Sequence, residues 1–110
     1  MSIPLAATMC VPQPLLAVVR LITDQLRGTP ITWAVTGSCA LLLQGIPVAV
    51  HDIDLRTTAT DAYALEALFH GYQKRAVAFA RTDRVQSHFG ALEINRMQVE
   101  IIGDIATSAP

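Results

Sequence analysis

The chain has 110 residues, 52% of them hydrophobic and 15% charged, with a formal net charge of −1 from eight basic and nine acidic side chains. That length suits one domain around one core, and that hydrophobicity excludes a disordered chain. The charge balance gives no ground for a nucleic-acid partner or an acidic membrane surface.

The first segment, "MSIPLAATMCVPQPLLAVV", is apolar but has no positive start, and Pro4, Pro12 and Pro14 interrupt it, so it does not read as a signal peptide. No run of about 18 apolar residues exists to span a membrane. Cys10 and Cys39 lie far apart, with neither zinc spacing nor a disulfide pattern. A reducing, cytoplasmic setting follows as the expectation.

Pro14 suits the start of a helix, where its missing N–H costs nothing. Leu15, Val18, Val19, Ile22 and Leu26 then form one helical face, and Gly28 and Pro30 end the helix, which is expected over 13–28. "ITWAVT", Ile31–Thr36, reads as a strand, rich in β-branched and aromatic residues. Gly37 breaks it, and "SCALLLQ" reads as a short helix with Ser38 near its N-cap. "VAVHDIDLRT" is the second strand. "TDAYALEALFHGY" is the third helix, capped by Thr60, with Ala64, Leu65, Leu68 and Phe69 facing the core. "RAVAFAR", "VQSHFGALEI" and "MQVEIIGDI" are three further strands, the last two joined by a tight turn at Asn95–Arg96. The tail 106–110 is small and polar and is expected to fray. The whole reads as a single domain over 1–110, with a core over 31–105. Its class is α+β, or mixed-sheet α/β, with about five strands and helices mainly on one face. Ile94, Val99, Ile101 and the apolar segment from Ile3 to Val11 find no obvious partner in this arrangement. Self-association as a homodimer, or a protein partner, is therefore expected, with the N-terminal segment folding back over the sheet as the plain alternative.

Two strand ends carry the candidate chemistry. In "HDIDL" side chains alternate, so Asp52 and Asp54 share a face while Ile53 takes the other. At roughly 6–7 Å apart, and an effective dielectric of about 20, two such charges repel by roughly 2.5 kcal/mol. Either the strand end is exposed to water or a cation offsets the repulsion. Gly37 and Ser38 stand at a strand-to-helix turn, where free backbone N–H groups suit a phosphate; an ordinary turn and cap is the plain alternative. Glu100 lies between Val99 and Ile101 and either joins the aspartates or faces solvent. Asp104, beyond Gly103, reads as a loop acid. His51 points away from Asp52 and is structural, and His88 packs near the sheet edge. Lys74, Arg75, Arg81 and Arg84 serve solubility or meet phosphate.

"VTGSCALLLQGIPVAVHDIDL" resembles the nucleotidyltransferase superfamily, which has the DNA polymerase β-like fold. The closer likeness is to small prokaryotic nucleotidyltransferase-domain proteins related to the aminoglycoside and lincosamide nucleotidyltransferases. "SHFG" and "VEIIGDI" have counterparts there, so the resemblance covers Trp33 to Ile105. It implies that Gly37 and Ser38 hold the β- and γ-phosphates of an NTP, ATP being the first candidate. It implies that Asp52 and Asp54 bind two Mg²⁺ ions, and that Glu100 binds one of them or acts as general base. The implied reaction moves a nucleotidyl group to a hydroxyl of a small molecule or protein and releases pyrophosphate. A non-catalytic, antitoxin-like module that binds a partner protein is the other class on the same fold. Relatives of this type usually continue past the "GDI" strand and more often have Asp at the third acidic position. The expectation is a shortened version, or a second subunit that completes the pocket.

Overall fold

The computed structural model describes residues 11–107, and the apolar segment from Ile3 through Cys10 lies outside them. Helix α1 spans Gln13–Leu26, with Pro12 as its N-cap and Pro14 in its first turn. Its buried face is Leu15, Leu16, Val18, Val19, Ile22 and Leu26, the expected stripe plus Leu16. Strand β1 is Trp33–Thr36, helix α2 is Gly37–Leu43, and strand β2 is Asp52–Thr57. Helix α3 is Ala59–Leu68, followed by a 3₁₀ turn at His70–Tyr72. Strands β3 (Gln73–Arg81), β4 (Val85–Ile94) and β5 (Met97–Thr107) complete the chain.

The five strands form one mixed sheet in the order β1-β2-β5-β4-β3. β2 and β5 run parallel at its centre, and every other neighbouring pair is antiparallel. The β4–β5 hairpin turns on Asn95 and Arg96, both at positive φ, as a two-residue turn of type I′ requires. Alternation divides the sheet cleanly. Ile53, Leu55, Leu92, Ile94, Val99 and Ile101 are essentially inaccessible and join one cluster with the buried residues of all three helices. Each such side chain stabilises the fold by about 1.5–3 kcal/mol. The opposite face carries Asp52, Asp54 and Glu100.

Several boundaries differ from the sequence reading. Ile94, Val99 and Ile101 need no external partner, because the helices cover them, and Val11 is buried as well. The apolar argument for self-association therefore loses these residues. Thr58, and not Thr60, caps α3, its hydroxyl accepting from the Asp61 N–H at 3.1 Å. Asp61 in turn accepts from the Thr32 N–H at 2.9 Å, tying α3 to the entry of β1. Helix α3 buries Ala62 and Leu65, and its C-cap Phe69 is buried on the same face, whereas Leu68 lies off that stripe and is exposed. Thr36, and not Ser38, takes the N-cap position of α2, without a side-chain cap bond. Val48 to His51 precede β2 rather than belonging to it. Asp104 is no loop residue: it sits in β5 at positive φ, where the register with β4 shifts between Gln86 and His88. Ala106 and Thr107 pair with Gln86 and Val85, so the expected frayed tail begins no earlier than residue 108. Beyond that, 108–110 lie outside the described residues.

Two irregularities in β3 re-aim its side chains. Gln73 pairs with Leu92 and Arg75 with Ala91, so Lys74 is an extra residue; a second shift falls between Arg75 and Ala78. The Val77 N–H there donates to the Glu66 carboxylate of α3. Gly90 of β4 faces Val77 closely, and a Cβ at Gly90 would stand 2.9 Å from the Val77 Cα.

Candidate active site

The parallel pairing of β2 with β5 sets Asp54 directly across from Glu100, and Asp52 across from Gln98. Ile53 and Leu55 on one strand, and Val99 and Ile101 on the other, are anchored in the core. Their burial forces the alternate residues, the acids, onto the open face. One carboxylate oxygen from each of Asp52, Asp54 and Glu100 lies within 4.8 Å of the others, and all three side chains are half-buried. Among the described residues the one ion pair is Arg27–Asp24, at the surface, so no lysine or arginine nitrogen closes on the three acids.

Their proton affinities report this crowding. A hydrogen bond to Asp52, then burial, then the charges of Asp52 and Asp54 push Glu100 up to about 7, while a hydrogen bond from Gln98 pulls it down. Burial and the Asp52 charge also raise Asp54, and Arg56 opposes them. The buried Cys39 thiol of α2 is pushed up to about 11 by burial, then by the Asp54 charge. It is a free, protonated cysteine and no nucleophile at neutral pH.

The strand-to-helix turn meets the same acids. β1 pairs with β2 so that Thr36 opposes Asp54, and the Thr36 hydroxyl donates to the Asp54 carbonyl at 3.4 Å. Gly37 has φ +70, and a Cβ there would stand 2.9 Å from Asp54 Oδ2. Glycine is thus required twice, by the backbone and by the carboxylate beside it. Ser38 is half-buried in the first turn of α2. All five sequence candidates, Gly37, Ser38, Asp52, Asp54 and Glu100, therefore fall in one region.

His88 does not. It bonds the Tyr63 hydroxyl at 2.8 Å and packs against Phe79, on the helix side of the sheet. His51 is exposed beside Asp52. Arg75 lies over the Phe89 ring, 5.3 Å from its centroid. The residues that sequence reasoning passed over are Arg56 and Gln98. The same alternation that singled out the aspartates and Glu100 would have found both, each two positions from an acid on the same face. An apolar cavity of about 390 Å³, lined by Leu15, Leu42, Pro47, Val50 and Met97 among others, includes none of the acids.

Residues 18–109 match the family described as aminoglycoside-2″-adenylyltransferase. The structure is also similar to the crystal structure of a provisionally named nucleotidyltransferase from Thermotoga maritima, with a TM-score of 0.87 and 42% sequence identity. That likeness covers 90% of this chain and 62% of the other, so the chain spans less than two thirds of that protein's length. No curated protein matches the chain significantly. No helix of the described residues is long and apolar enough to cross a membrane.

Proposed function

Because the chain belongs to the aminoglycoside-2″-adenylyltransferase family, we propose that it transfers a nucleotidyl group, with Mg²⁺, from an NTP to a hydroxyl acceptor. ATP is the first donor to test, and an aminoglycoside hydroxyl is the first acceptor that the family's name suggests. The observation that carries this reading is the triad of carboxylate oxygens within 4.8 Å, with no basic side chain in ion-pair contact. Hard oxygen donors and uncompensated negative charge suit Mg²⁺, which binds through one or two carboxylates together with substrate phosphates.

Asp52 and Asp54 would hold two such ions, with Glu100 as a further ligand. Bound there, the ions would neutralise the acids and stabilise the attacking and leaving oxygens of an in-line displacement. The acceptor oxygen would bond to the α-phosphorus as the bond to the bridging oxygen breaks, and pyrophosphate would leave. Alternatively Glu100, with an oxygen within 4.8 Å of those of both aspartates, would be the base that takes the hydroxyl proton. Gly37, with no side chain, leaves the backbone beside Asp54 open to a phosphate. The protein's own share is positioning, through strands whose inner faces are locked in the core.

The test is a direct one. Purified chain, incubated with α-labelled ATP, Mg²⁺ and a panel of hydroxyl acceptors, should release pyrophosphate and label an acceptor, and Asp54→Asn should do neither. A folded wild-type chain that fails to bind ATP in the presence of Mg²⁺ would overturn the reading.

A further inference from the structure

Lys74 has no part in the proposed reaction, yet its side chain is held in place. This exposed residue lies on β3, an edge strand, yet its Nζ donates to the Gln98 Oε1 of β5 at 3.2 Å. β4 lies between these two strands. At about 4.8 Å per strand, the side chains span about 10 Å of sheet. Two details of the sheet permit this. Lys74 is the extra residue of the bulge between Gln73 and Arg75, which turns its side chain onto the acid face. The neighbouring β4 position on that face is Ala91, too small to block the path. Lys74 also makes no ion pair with Glu93, although Glu93 stands next to Gln98 in the β4–β5 register.

The consequence concerns the amide of Gln98, which could face its neighbours by either end. Lysine offers only donors, so it selects the carbonyl oxygen. The NH₂ group is then left for a carboxylate. Gln98 stands opposite Asp52 and two residues from Glu100 on the same face, which brings its amide within reach of the Glu100 carboxylate. We propose that Lys74 and Gln98 form a positioning relay: Lys74 fixes the Gln98 amide, and the amide orients the Glu100 carboxylate for the metal. The proposal rests on the metal-binding reading of the acids and adds two residues to it, neither of which touches the reacting atoms.

Side chains that orient a metal ligand typically change metal affinity 10–100-fold when removed. Gln98→Leu should therefore weaken Mg²⁺ binding on the order of ten-fold or more, read by calorimetric titration. Lys74→Met should weaken it on the order of five-fold, the loss of one ordinary hydrogen bond. Lys74→Arg, which still donates, should restore most of it. The decisive case is the double variant, which should bind Mg²⁺ no more weakly than Gln98→Leu alone, because Lys74 acts only through Gln98. Additive losses would mean that Lys74 acts through its charge and would overturn the relay. A wild-type chain that binds Mg²⁺, with single variants that bind it equally well, would overturn the relay and leave the metal reading standing. Absence of Mg²⁺ binding by the folded wild type would overturn both. A readout without metal separates the two. In the amide NMR spectrum of the metal-free chain, the Gln98 NH₂ resonances should move in Lys74→Met and in Glu100→Gln. Unmoved resonances would refute the hydrogen-bond geometry itself.

Discussion

Replacing Asp52 with asparagine should make the metal-free protein more stable. Near pH 8 Glu100, which titrates at about 7, is ionised, and Asp52 faces two like charges through oxygens no more than 4.8 Å away. At an effective dielectric of about 20, each such pair costs about 3.5 kcal/mol. The site is half-open to water, and solvent and salt screening reduce the net relief to about 1–2 kcal/mol. Asparagine keeps the shape and removes one of the three charges. For a chain of this length about 4 °C accompanies each kcal/mol, so Tm should rise by about 4–8 °C. Thermal melts in EDTA at low salt measure this, and added sodium chloride should shrink the difference. With millimolar Mg²⁺ the order should reverse, because wild type gains stability from the ion by mass action and the variant gains less. An unchanged or lower Tm in EDTA would show that Asp52 is not in electrostatic conflict. An undiminished magnesium shift in the variant would place the ion elsewhere.

Gly37→Ala forces a β-carbon into a positive-φ turn and to 2.9 Å from Asp54 Oδ2. It should cost about 1–2 kcal/mol in urea denaturation and weaken Mg²⁺ binding together with it. Glu100 is raised from 4.5 to about 7, so the folded chain holds a proton that the unfolded chain has already released. Stability of the metal-free protein should therefore fall as pH rises from about 4.5 to about 7, by about 1–2 kcal/mol after allowance for solvent screening. The raised Asp54 adds to the same trend; a denaturation series in EDTA that rose with pH over this window would contradict it. Glu66→Ala removes the acceptor of the Val77 N–H inside the β3 irregularity. It should destabilise the fold by about 1–3 kcal/mol, and hydrogen exchange should show the loss concentrated at Val77.

Much of the acid-bearing face could be read locally. A strand alternates its side chains whatever its neighbours do, so "DIDL" and "VEII" placed their acids opposite their apolar residues before any pairing was known. The helical stripe of α1 and the Asn95–Arg96 turn are likewise properties of short windows, set by a period of 3.6 and by loop length. The helix caps were read less well. Thr58 and Thr60 are two threonines at the same boundary, and of the Asp61 contacts that accompany the earlier start, the one to Thr58 is local but the one to Thr32 involves chain 29 residues away. What no window contains is that β5 lies beside β2, and in parallel, across the intervening helix and strands of residues 58–96. That adjacency arises because Ile53, Leu55, Val99 and Ile101 are buried together beneath the helices, and it alone turns two separate motifs into one cluster of three carboxylates. The apolar residues assigned to an exposed face were misread for the same reason: alternation says that two faces differ, and only the packed helices decide which of them is covered. The reach of Lys74 to Gln98 depends on one extra residue in β3, a register event that the partner strand defines and the sequence of β3 does not display.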